Sequence, residues 1–188
     1  MLSKFHKHQS LGHQVVPAQA ADFSFFGGLF IEPAELIDER SAGVTALGVS
    51  RDSFLDFYLH TPGGSVNVSR GSLGGQVIES LPIPLPDQTF VRSVISSLDA
   101  SIDLDFREVE VASAADVDLY YDSNIDVGDS DSGVTFGMAV TSGRDWELFV
   151  NYPPLQNDHA YRRYVFLHEF GHSLGIEHAF DSSDGDVA

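Results

Sequence analysis

Cysteine is missing from this chain, which excludes disulfide bridges and any thiolate metal site. Positive charge is scarce as well: 10 Lys and Arg stand against 28 Asp and Glu, a formal net charge of -18. Lys4 and Lys7 are the only lysines. Nucleic acid binding needs a clustered basic footprint and anionic lipid repels a surface of this sign, so neither partner is expected. Long apolar runs are also lacking. A membrane span takes roughly 18–20 apolar residues, and the run from Phe23 to Ile31 is shorter and carries two glycines. Lys4 and Lys7 precede Ala18-Gln19-Ala20, which has the form of a cleavage site. No apolar stretch separates them, so no standard export signal is read there.

What remains is enough for a core. With 188 residues, 43% of them hydrophobic and 14 of them Phe, the chain suits one folded domain and not a disordered tail. Residues 1–49 show no sustained periodicity and are expected to form an N-terminal extension, with His6, His8 and His13 in its tail. Within it, Glu32 to Arg40 reads as a short helix with Pro33 in the first turn. Phe54 to His60 reads as a strand, and residues 50–188 as the main domain. Gly71 to Gly75 and the alternation Pro82, Pro84, Pro86 mark loop.

From Asp87 the pattern is firmer. Asp87 is expected to cap a helix to about Ala100, with Phe90, Val91, Val94, Ile95 and Leu98 on one stripe. Strands are expected over 102–111, 116–121, 134–141 and 146–151, the last two joined at Ser142-Gly143. Asn157 or Asp158 can cap the helix that follows, on which Tyr161 and Val165 read as core and His159 carries no metal role. The acidic loop holding Asp122, Asp126, Asp129 and Asp131 has two readings, a calcium site and a solvated loop, and the spacing is not that of an EF-hand. Asp181, Asp184 and Asp186 read as solvated.

That helix carries His168-Glu169-Phe170-Gly171-His172-Ser173-Leu174-Gly175-Ile176-Glu177-His178, the pattern H-E-x-x-H-x-x-G-x-x-H. Two histidines four residues apart lie on one helical face, roughly 6 Å apart, and can share one metal ion. Glu169 adjoins the first of them, where a carboxylate can take a proton from water that the metal activates. Gly175 accepts the left-handed conformation that ends a helix and turns the chain, bringing His178 round as third ligand. Three neutral imidazoles leave zinc with an open position, the arrangement of a catalytic site.

The eleven-residue pattern resembles the long zinc signature of the metzincin metallopeptidases, and the residues after His178 resemble the serralysin-like bacterial branch. The order of expected elements from about residue 50 onward resembles the upper metzincin subdomain. The resemblance implies an α+β fold: a twisted, mainly parallel sheet with an antiparallel edge strand, packed on two long helices. It implies a zinc endopeptidase with His168, His172 and His178 as ligands and Glu169 as general base. A polypeptide substrate would pair with the edge strand at Gly137, Met138, Ala139 and Val140. It further implies a secreted, monomeric protein, and the lack of cysteine excludes the cysteine latch by which some metzincin pro-segments block their zinc. Metzincins carry a methionine turn beyond the third histidine, whereas Met1 and Met138 both precede it here, so the sequence is expected to stop short of that turn. A second function class stays open, a zinc-binding but inert protease-like module of a larger secreted protein.

Overall fold

Alternation of apolar side chains builds the centre of the fold. In the computed structural model, which describes residues 36–127 and 133–178, Leu55, Phe57 and Leu59 of β1 (Phe54–Leu59) point to one face of a sheet. Val117, Leu119 and Tyr121 of β5 (Val117–Asp122) and Trp146, Leu148 and Val150 of β7 (Asp145–Asn151) share that face. Parallel pairing joins β4 (Asp105–Glu108) to β1, β1 to β5, and β5 to β7. The strand β6 (Gly137–Ser142) then runs antiparallel to β7, from Gly137 opposite Val150 to Ser142 opposite Asp145. A mixed sheet with helices against it makes the class α+β, as expected.

The helices supply the other half of the main core. Three pack on the sheet: α1 (Glu39–Val49), α2 (Leu85–Asp99) and α4 (His159–Ser173). The short α3 (Tyr152–Leu155) bridges β7 and α4. Val165, Phe166 and Phe170 anchor α4, none of them more than 3% exposed. Burying each contributes about 1.5–3 kcal/mol, more than the ~1 kcal/mol typical of a cap, so packing fixes this helix and capping only trims its end. Asp158 is that cap, accepting from Tyr161 N at 2.9 Å.

Local departures from the sequence reading have identifiable causes. Asp87 does not cap α2; it is buried in the first turn, where its Oδ2 accepts from Arg162 Nε at 2.6 Å and from the Tyr121 hydroxyl at 3.1 Å. A buried guanidinium outcompetes free backbone amides for a carboxylate. Of the helix expected over 32–40, residues 32–35 lie outside the described residues. The helix that forms begins at Glu39, because Asp38 is its cap and accepts from Arg40 N at 2.9 Å. Val44 and Val49 bring α1 into the main core. The strand expected over 102–111 is confined to β4.

The sequence reading had no hairpin where β2 (Gly64–Val68) and β3 (Gln76–Leu81) pair antiparallel. The glycines and exposed positions of that stretch mimic loop. β3 also pairs with the end of β5, so the hairpin continues the sheet where β1 stops. Val68 and Ile78 of this hairpin join Tyr120, Ile125, Met138, Val140 and Phe149 in a second, smaller core on the face away from the helices.

Candidate metal centre

The C-terminal end of α4 shows how the motif is built. Gly175 has φ +87° and follows the last helical turn. Gly175 N donates to His172 O at 3.0 Å and Ile176 N donates to Gly171 O at 3.0 Å, the paired bonds of a Schellman turn. The chain reverses there, and His178 returns toward the two helical histidines.

The three imidazoles converge on their Nε2 atoms. His168 Nε2 lies 3.1 Å from His172 Nε2 and 2.8 Å from His178 Nε2. Ring centroids are 4.7–4.8 Å apart, with the His172 ring nearly perpendicular to the other two. One ligand atom from each residue falls within 4.8 Å of the others, close enough to hold one metal ion. His172 Nδ1 lies 2.7 Å from Ile176 O. A carbonyl only accepts, so Nδ1 carries the proton and Nε2 keeps its lone pair for a ligand. Burial, then the neighbouring His172 and His178, lowers the His168 pKa to about 4, which keeps this ring neutral. The His172 pKa is lowered by burial too, opposed by its bond to Ile176.

Glu169 is 1% exposed and neither carboxylate oxygen has a hydrogen-bond partner among the described residues. Burial pushes its pKa up to about 8 in the metal-free chain. A buried carboxylate without a partner is costly unless a cation or a proton stands near it, and Glu169 directly follows His168, the first of the three converging histidines. Directly over Glu169 passes Gly137. A Cβ at position 137 would sit 2.4 Å from Glu169 Oε1 and 2.6 Å from Val165 Cγ1. Only a residue without a side chain lets β6 run this close to α4.

Of the residues singled out in the sequence, His6, His8 and His13 lie outside the described residues. His168, His172 and His178 come together, Glu169 is buried beneath Gly137, and Gly137, Met138, Ala139 and Val140 form most of β6. Among the described residues β6 pairs only with β7, so its outer edge has no strand beside it. Of the acidic loop, Asp129 and Asp131 lie outside the described residues, as do Asp181, Asp184 and Asp186. Asp122 is engaged by the buried Arg70 guanidinium and by Asn124 N at 3.2 Å, which leaves it poorly suited to calcium. His159 serves Arg162, with Nδ1 2.7 Å from Arg162 Nη2. Sequence reasoning missed the Asp87–Arg162 pair and the contact of Gly137 with Glu169, neither of which has a local spacing to announce it.

Compared with protein-family models, curated proteins and solved structures, the chain shows no match. The site therefore has to be read from its own geometry.

Proposed function

We propose that the protein is a zinc-dependent endopeptidase of the metzincin kind. The observation that carries this reading is the convergence of three imidazoles at the end of a helix whose buried Glu169, next to His168 in the chain, has no hydrogen-bond partner among the described residues. The donor set fits zinc: neutral nitrogen ligands in a three-residue set suit a catalytic site. Nitrogens about 2.0–2.1 Å from a tetrahedral zinc lie roughly 3.3 Å from one another, close to the 2.8 and 3.1 Å separations of the metal-free rings.

Zinc, when bound, supplies Lewis acidity toward water and toward a peptide carbonyl. His168, His172 and His178 would hold it. Glu169 would take the proton of the attacking water at a carboxylate oxygen and deliver it to the leaving amine nitrogen. Its burial raises proton affinity, which suits a base that must also act as an acid near neutral pH. The edge of β6 away from β7, at Gly137 to Ala139, would accept the substrate main chain as an added strand, orienting the scissile bond through backbone hydrogen bonds with little demand on side chains. A polypeptide substrate and work outside the cell belong to this same proposal, as does the upper metzincin subdomain as its fold.

Glu169→Gln tests it. The variant is expected to retain zinc, while turnover of a quenched peptide library falls by about 10²–10⁴-fold. Zinc binding without turnover in the unaltered chain would leave the inert zinc-binding module as the better reading.

A further inference from the structure

Beyond the ligands themselves, the second half of the zinc turn is held by a segment more than a hundred residues away in sequence. Leu36, Ile37 and Asp38 lie against Gly175, Ile176 and Glu177 as a short antiparallel strap. Asp38 N donates to Gly175 O at 2.8 Å, and Glu177 N donates to Leu36 O at 3.0 Å. Ile37 and Ile176, opposite one another, stay 43% and 46% exposed, so it is main-chain pairing and not burial that joins the two segments.

Behind the strap, α1 is tied to the same helix end. The Thr45 hydroxyl donates to Ser173 O and accepts from Trp146 Nε1 at 3.1 Å. A Cβ on Gly175 would come within 2.8 Å of Ala42 Cβ and 3.1 Å of its backbone, so turn and helix touch. The three residues held in this way each bear on a ligand. Gly175 makes the turn, the Ile176 carbonyl fixes the proton of His172 on Nδ1, and Glu177 precedes His178. Without the strap, the peptide groups that aim His172 and His178 would be restrained only from the helix side.

We infer that residues 36–38 are a positioning element for the metal centre, coupling the docking of the N-terminal strap to metal affinity through the carbonyl of Ile176 and the backbone of Glu177. This rests on the reading of the three histidines as ligands. Outer partners that orient ligands commonly change metal affinity by about 10–100-fold. Coupling of this kind is reciprocal, so bound metal must tighten the strap by the factor by which the strap tightens the metal.

Position 38 offers a clean test. Its φ of -75° is one that proline adopts, so Asp38→Pro removes the N–H that reaches Gly175 O without straining the backbone. It also removes the helix cap and the carboxylate charge that reaches His172, and Asp38→Ala removes these two while keeping the N–H. In the full chain, zinc affinity is measured by competition with a chromophoric chelator, and ligand geometry by the visible spectrum of bound cobalt(II). Asp38→Ala is expected to bind zinc within about threefold of the unaltered chain. Asp38→Pro is expected to bind at least about tenfold more weakly and to shift the cobalt spectrum. Equal affinity and spectra in the two variants would overturn the strap's role while leaving the metal site intact. An unaltered chain that binds neither ion would overturn both.

Amide exchange on the unaltered chain gives a reading that does not depend on any variant folding. Zinc is expected to slow exchange at Asp38 and Glu177 by about tenfold beyond its effect on the β2–β3 amides. Uniform slowing across all of these amides would overturn the coupling.

Discussion

Glu147 and Glu169 are both buried, at 7% and 1% exposure, and they face opposite sides of the sheet. Glu147 lies beneath the β2–β3 hairpin, where its two oxygens accept from Ser69 N at 2.7 Å and Arg70 N at 2.6 Å. Arg70 takes up a left-handed backbone (φ 47°) to offer that N–H. Its guanidinium lies over the Phe149 ring and engages Asp122. Glu169, against the same sheet on the helix side, has nothing of the kind. The hairpin side uses a buried carboxylate to hold structure together, accepting backbone strain to satisfy it. The helix side keeps one without a hydrogen-bond partner among the described residues, next in sequence to His168, and the proposed metal centre would offset its cost.

Exchanging charge for an amide at each position should separate the two roles. Glu169→Gln is expected to lose turnover by about 10²–10⁴-fold while the metal-free chain unfolds at the same temperature or higher, because folding no longer has to keep a buried carboxyl protonated. Glu147→Gln should do the reverse. It weakens charge-assisted bonds to two backbone N–H groups, at about 2–3 kcal/mol of stability by denaturant melting, and leaves zinc affinity unchanged. If both variants lose stability equally, the contrast between the faces fails.

Gly137→Ala probes the space above Glu169. The added Cβ meets Oε1 at 2.4 Å and Val165 Cγ1 at 2.6 Å, so the expected cost is about 1–3 kcal/mol of stability with turnover down about a hundredfold through displacement of the carboxylate. A variant of normal activity would show that β6 does not fix the position of Glu169.

The smallest expected effect concerns Asp118, directly opposite Glu147 across β5 and β7. Its pKa is pushed up to about 8, first by burial and then by Glu147 and Asp145. A carboxyl that keeps its proton when folded and releases it at 3.8 when unfolded adds stability in full below that value. The contribution drains away as pH rises through the window up to about 8. Asp118→Asn, always neutral, should flatten that slope and stabilise the chain at pH 8 by on the order of 1–2 kcal/mol. Thermal melts from pH 4 to 8 check this, and a slope unchanged from that of the parent would remove Asp118 as its source.

Much of the site could be read from sequence because its logic is local. His168 and His172 share a face through helical periodicity alone, and Gly175 announces the turn because glycine readily takes the left-handed conformation that other residues avoid. The strands β1, β5, β6 and β7 were legible as short runs rich in apolar and aromatic residues, buried along most of their length. The hairpin of β2 and β3 was not, because β2 offers only Val66 and Val68 among Gly64, Ser65 and Asn67, and the glycines beside it read as loop. Asp87 misled as a cap because its partner Arg162 lies 75 residues onward.

The chain's own residue order therefore determined the three converging histidines, the adjoining carboxylate and the α+β class, all of which follow from periods of two and 3.6 residues and one glycine turn. Tertiary structure alone decided that Gly137 lies on Glu169, that Arg70 closes the outer face, and that Leu36 to Asp38 brace the turn before His178. Those contacts join residues far apart in sequence, and no local period records which distant backbone will come to lie beside a given side chain.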